Sequence, residues 1–233
     1  MPETVAHQTS SPPRPRQLAL ALDHAESFAR EDFLVGPSNE AALALIERWP
    51  DWPDRMMLLA GPQGSGKSHL AAIWAAQAGA RSIAARSIDV ANLPAAFATG
   101  ALVVEDLAER SFDERALFHL INHAREERAF VLMTARSAPA AWHIAVPDLV
   151  SRLRVLPAIE LAAPDDALLR AIIVKLFADR QLPVDETLVA YLTARIERSF
   201  AGAQKAVEAL DREALRLQRP VTRALAGELF REP

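Results

Sequence analysis

Gly61-Pro62-Gln63-Gly64-Ser65-Gly66-Lys67-Ser68 fits the pattern G-x-x-x-x-G-K-[S/T] at every fixed position. An apolar run, Met56 to Ala60, leads into it, and a helix-compatible run, His69 to Ala78, follows. That is the strand–loop–helix setting in which the pattern binds phosphate. Its glycines let the backbone take positive φ and come close to a ligand, so successive N–H groups converge on an anion. The helix start adds partial positive charge. The candidate nucleotide-contacting residues are Gly61, Gln63, Gly64, Ser65, Gly66, Lys67, Ser68 and His69. Lys67 is placed to reach the β- and γ-phosphates, and the Ser68 hydroxyl to hold Mg²⁺. A plain glycine-rich turn is the competing reading, and the strand before it and helix after it weigh against that.

The chain of 233 residues, 51% hydrophobic, is long enough for one large domain or two modest ones. It has no cysteine, which excludes disulfides and thiolate metal sites and suits a cytoplasmic setting. With 26 basic against 30 acidic residues, net charge −4, a global electrostatic grip on nucleic acid is not expected, so DNA contact would be weak or indirect. No apolar run approaches the length of a membrane span.

Residues 1–16 form a Pro/Ser/Thr-rich tail expected to be disordered. The patch Gln17-Leu18-Ala19-Leu20-Ala21-Leu22 follows, too short for a secretory signal. On residue chemistry it reads equally as a first strand or as a docking peptide whose alternate side chains enter a partner's pockets. Phe33-Leu34-Val35 and a turn precede a helix expected to be capped by Ser38 and to run to about Trp49. Further strands are expected at Arg81–Ala85, Ala101–Asp106, Phe130–Thr134 and, across Pro157, Val155–Leu161. Helices are expected near 89–99 and over 112–127. Strands alternating with helices predict an α/β fold, a five-stranded parallel sheet covered on both faces. From residue 164 only helices are expected, starting at Asp165, Asp185, Gly202 and beyond Pro220. The α/β domain is thus placed at 23–163 and a small helical lid at 164–233.

Two acids close the third strand. A phosphate-loop NTPase needs a carboxylate there for the Mg²⁺ shell and a second polar group to orient water, so Glu105 and Asp106 are catalytic candidates, Glu105 also a metal candidate with Ser68. Before the last strand, Pro147 to Arg154 carries Arg152 and Arg154, which read either as solvated loop charges or as guanidinium groups offered to a neighbour's γ-phosphate.

These pieces together resemble the Hda-type regulatory inactivators, AAA+ relatives of the bacterial replication initiator DnaA. The matching segments are QLALAL, FLVGPSN, GPQGSGKSHLA, LVVED, FVLMTAR, DLVSRL and GAQKAVEALDREAL, from Gln17 almost to the end of the chain. The resemblance implies an AAA+ P-loop NTPase fold binding ADP or ATP with Mg²⁺. It also implies a cytoplasmic regulator of replication initiation that binds the DNA polymerase sliding clamp and promotes hydrolysis of DnaA-bound ATP. Gln17, Leu18, Leu20 and Leu22 fall on the clamp-binding peptide, which moves docking ahead of strand. Phe33, Leu34 and Val35 fall near the adenine-side segment, Phe33 and Val35 being the nucleotide-contacting candidates, and Arg152 falls on the arginine finger. Self-association through the nucleotide interface, as in AAA+ relatives, is left open. The chain departs from the pattern at Ala135 in the fourth-strand sensor, at Gln204 where the lid carries an arginine, with Lys205 adjacent, and in the order Glu105-Asp106. Weak intrinsic ATPase activity is the consequence expected. The competing functions are an autonomous AAA+ ATPase and a DNA-binding initiation regulator; a small-molecule phosphotransferase lacks a substrate-binding insertion. His119 and His123, one turn apart, lack a third ligand for a metal, and the four tryptophans read as packing residues.

Overall fold

The computed structural model describes residues 28–108 and 112–230. The expected tail and the peptide containing Gln17, Leu18, Leu20 and Leu22 lie outside them. Strands β1 (Met56–Ala60), β2 (Arg81–Ala84), β3 (Ala101–Leu107), β4 (Phe130–Ala135) and β5 (Ala158–Glu160) form one parallel sheet in the order β2-β3-β4-β1-β5. Every residue of β1 is buried, because alternate side chains enter different layers. Met57 and Leu59 pack with α1 (Glu40–Glu47) and α2 (Lys67–Ala78), through Ile46, Leu70 and Trp74. Met56, Leu58 and Ala60 pack on the other face, with α3 (Leu93–Ala96), α4 (Glu114–Glu126) and α5 (Pro147–Arg154). The loop after β1 therefore opens at the carboxyl edge of a central strand, where open α/β sheets bind ligands.

Beyond the sheet, α6 (Asp166–Asp179), α7 (Glu186–Thr193), α8 (Phe200–Leu217) and α9 (Arg223–Leu229) enclose a cluster of their own that includes Leu169, Phe177, Leu192, Val207 and Leu225. Asp165, Asp185, Ser199 and Thr222 cap the four helices, each side chain accepting from the backbone N–H three residues on. Leu34 packs against this cluster, tying the N-terminal segment to it.

Several boundaries differ from expectation for identifiable reasons. The first helix is led in by Asn39 rather than Ser38: Asn39 Oδ1 accepts from Gly36 N and its Nδ2 donates to Leu34 O, each at 2.9 Å, so this side chain shapes the turn. The third strand does not end at the acids but runs on to Leu107 through a bulge in its pairing with β4. β5 keeps three residues, since Pro157 has no N–H to give and only accepts, from Leu58 N at 2.9 Å. The stretch bearing Arg152 is not a loop: Pro147 opens α5, a position where its missing N–H costs nothing.

Candidate functional site

The phosphate loop is built around backbone that other residues resist. Gly61 has φ 155° and a Cβ there would lie 2.3 Å from Leu161 O; Gly64 has φ 74° and a Cβ would lie 2.4 Å from Ser199 Cβ. The Gly64 carbonyl accepts from Phe200 N at 3.2 Å, so the first turn of α8 rests on the loop tip. α2 begins at Lys67, directly off the loop, with its free N–H groups turned to the same space. Lys67 is buried, and its Nζ donates to Gly61 O (2.8 Å), Pro62 O (2.7 Å) and Ser65 Oγ (3.3 Å). Burial lowers its pKa below the ordinary lysine value; the Asp106 charge offsets part of that, and the Arg136 charge adds to it.

A cleft of 370 Å³ runs from the loop, Gln63 to His69, between the N-terminal segment and the C-terminal helices. Phe33 and Leu34 line it on one side, and Leu168, Ile172, Lys175 and Gln204 on the other. His69 anchors the N-terminal segment: its Nε2–H donates to Ala29 O at 2.9 Å, and the rings of Phe28 and Phe33 meet it edge-on at 5.4 and 5.1 Å. The structure thus brings together Gln63, Gly64, Ser65, Gly66, Lys67, Ser68, His69, Phe33 and Gln204. It leaves Val35 outside the cleft, 48% exposed, with Leu34 in its place. Gln204 donates through Nε2 to Glu208 Oε1 at 3.0 Å, and Lys205 is exposed, so neither puts a cation over the phosphates. The cation that the C-terminal helices do bring to the cleft is Lys175, which sequence reasoning missed, although it stands seven residues after Leu168 on one face of α6.

Glu105 and Asp106 stand at the bulge of β3. Alternation puts Glu105 on the Val103 face of the sheet, the face that carries α2. Asp106 takes φ 61°, and its N–H is held by the buried Thr134 Oγ1 at 3.1 Å. Its charge acts on Lys67, which places it beside the loop. Gly61 N donates to Ala135 O at 3.1 Å, so Arg136, directly after β4, emerges next to the loop and reaches Lys67 electrostatically. No cluster of three or more protein metal ligands exists among the described residues. The donor set fits Mg²⁺ carried in by a nucleotide, which needs only one or two protein oxygens such as Ser68 and an acid of β3.

Arg152 lies elsewhere. Leu149 and Leu153 seat α5 in the layer opposite α2, and Arg152 does not line the cleft. Its Cζ lies 5.3 Å from the centre of the Phe118 ring, and its buried Nε has no hydrogen-bond partner among the described residues. None of the carboxylates described there pairs with it. Glu114, one turn before Phe118, accepts from Ala145 N and Val146 N, each at 2.9 Å, fixing the approach to α5. Arg154, two residues on, is exposed.

No protein-family model and no curated protein sequence matches the chain. Among solved structures, domain III of the Thermotoga maritima replication initiation protein DnaA aligns with a TM-score of 0.70 at 18% identity, over 87% of this chain and 95% of that one. A replication initiator DnaA bound to AMPPCP and single-stranded DNA aligns at 0.63 with 18% identity, over 82% and 68%. The Thermotoga maritima RuvB Holliday junction branch migration motor aligns at 0.68 with 16% identity, over 87% and 70%. The chain has the AAA+ P-loop fold.

Proposed function

We propose that this chain is a nucleotide-binding regulator of replication initiation that docks on the DNA polymerase sliding clamp and lends Arg152 to ATP held by DnaA, promoting its hydrolysis. The observation that carries the reading is the separation of two parts: the cleft and its loop lie with α2, whereas Arg152 is held on Phe118 in the opposite layer, outside the cleft. An arginine that cannot serve its own cleft, and that has no carboxylate partner among the described residues, is suited to an anion on another molecule. The likeness of the fold to a DnaA domain supports DnaA as the molecule acted on.

In this reading the chain's own nucleotide is held rather than spent. Loop N–H groups and Lys67 bind ADP or ATP; Phe33 and Leu34 face the base. Bound Mg²⁺ would neutralise phosphate charge, with Ser68 and Glu105 or Asp106 as its protein oxygens. Gln204, turned to Glu208, adds no charge at the γ-phosphate, which agrees with weak turnover in cis. Arg152 reaches the partner's γ-phosphate and stabilises charge developing in the transition state, an effect of about 10³–10⁵ in rate where such arginines operate. Gln17, Leu18, Leu20 and Leu22 give clamp attachment, so DnaA near a loaded clamp is the molecule acted on.

The test is hydrolysis of DnaA-bound ATP with and without DNA-loaded clamp, using the wild-type chain and a Gln17→Ala, Leu18→Ala double variant. The expected result is stimulation that needs the clamp and is lost in the double variant. Turnover by the chain alone, indifferent to clamp and DnaA, would favour the autonomous ATPase instead.

A further inference from the structure

The helices beyond the sheet bring two cations together away from the cleft. Tyr191 on α7 packs, partly buried, against the C-terminal cluster, and α9 runs beside it: a Cβ at Gly227 would meet Tyr191 Oη at 3.9 Å. Two guanidinium groups lie over its ring. Arg195, held just past the end of α7 by its N–H to Leu192 O at 2.9 Å, puts Cζ 4.1 Å from the ring centre. Arg223, the first residue of α9, puts Cζ 5.2 Å from it. Both arginines are exposed. Among the described residues neither forms an ion pair, and none of the three residues lines the cleft. Two like charges held this close repel each other. The negative face of the ring offsets part of that cost, and an anion set against both guanidinium groups would relieve the rest.

We propose that Arg195 and Arg223, carried on Tyr191, dock a short acidic segment of a protein partner. Each planar guanidinium can take one carboxylate through two parallel N–H···O bonds, and the ring holds both forks in place before the partner arrives. Tyrosine and arginine are also residue types that dominate binding energy in protein interfaces. A DNA backbone is the competing anion, and the surroundings count against it. A duplex gains affinity by matching a row of phosphates with a row of free cations. Here the next cations along the chain are already engaged: Arg198 Nη2 lies 2.6 Å from Asp166 Oδ1, and Arg219 Nη1 lies 3.6 Å from Glu228 Oε2. The net charge of −4 further opposes a long polyanion. Two arginines without ion pairs, flanked by matched ones, suit a compact pair of carboxylates.

The experiment is fluorescence anisotropy of a labelled hexaglutamate peptide and, separately, of a labelled random-sequence duplex, each titrated with the full chain. Salt is held at ~0.1 M, where exposed charges more than about 10 Å apart are largely screened. The wild type should bind the peptide, and Arg195→Gln combined with Arg223→Gln should weaken that binding by about 10-fold, the joint effect of two exposed charge pairs. Arg86→Gln combined with Arg125→Gln removes the same charge from exposed positions of the sheet-bearing part and should leave the affinity within about 2-fold. Tyr191→Leu removes the ring and no charge, and should cost about 3-fold in affinity, whereas Tyr191→Phe keeps the wild-type value. Each variant is checked for an intact melting transition. Equal loss in the two double variants would show bulk attraction and overturn the site. A wild type that does not bind the peptide, or that binds the duplex more tightly than the peptide through the same two arginines, overturns the assignment as well.

Discussion

The phosphate loop and the helix that carries Arg152 handle positive charge in opposite ways. Lys67 is buried and turned onto three oxygens of its own loop, the carbonyls of Gly61 and Pro62 and the Ser65 hydroxyl. Arg152 has an aromatic face beneath it and an orphaned Nε. The first cation is satisfied locally and must exchange internal bonds for phosphate; the second rests on the Phe118 ring, and its Nε has no hydrogen bond among the described residues to give up. The difference teaches that the two cations sit in different layers of the same sheet, and under the proposed function holding a nucleotide and acting on one fall to those separate layers.

The largest effect that would sharpen this contrast is on the acting side. Arg152→Ala should lower the stimulated hydrolysis of DnaA-bound ATP by about 10³-fold or more while leaving the chain's own ADP affinity within roughly 2-fold. Parallel loss of ADP affinity would break the division of labour. On the holding side, Lys67→Ala removes a charge-assisted contact to phosphate and should weaken nucleotide binding by about 2–5 kcal/mol, measured by calorimetry. Gly64→Val tests the contact between loop and α8. Its φ of 74° and the Cβ position 2.4 Å from Ser199 both oppose a side chain. The expected cost is about 1–3 kcal/mol of backbone strain before the clash is counted, read as a lower melting temperature. The smallest effect is at the bulge: Thr134→Val deletes the acceptor for Asp106 N and should cost about 1 kcal/mol of stability with the sheet intact.

How much of this could be read from residues alone follows the range of the forces involved. The loop and β1 were legible because the signal is local: five apolar residues, a glycine pattern and a helix start adjoin in sequence, and Met56–Ala60 emerges with those bounds. The starts of the helices at Asp165 and Asp185 were legible for the same reason, though the two aspartates prove to cap the helices rather than to open them. β5 was overextended, because apolar composition from Val155 to Leu161 says nothing of which residues have a free β1 edge to pair with. The bulge at Asp106 depends on Thr134 from another strand, 28 residues away, and so left no mark in the local pattern. The charged pair Asp32–Lys175 joins residues 143 apart in number and was invisible for that reason. Val35 and Leu34 were indistinguishable as cleft residues until Leu34 was seen packed against the C-terminal cluster. A loop stays open as one reading of the Arg152 stretch because eight residues with two arginines and one proline look polar and broken; Leu149 and Leu153, four apart, are the sign of a helix with one buried face.

The most direct measurement of the central claim is single-turnover hydrolysis with labelled ATP placed on one partner at a time. With label on DnaA, ADP on this chain and DNA-loaded clamp present, the account predicts rapid loss of the γ-phosphate. With label on this chain, it predicts little loss over the same period, with DnaA or without. Fast hydrolysis of ATP carried by this chain alone, and none of ATP carried by DnaA, would contradict it.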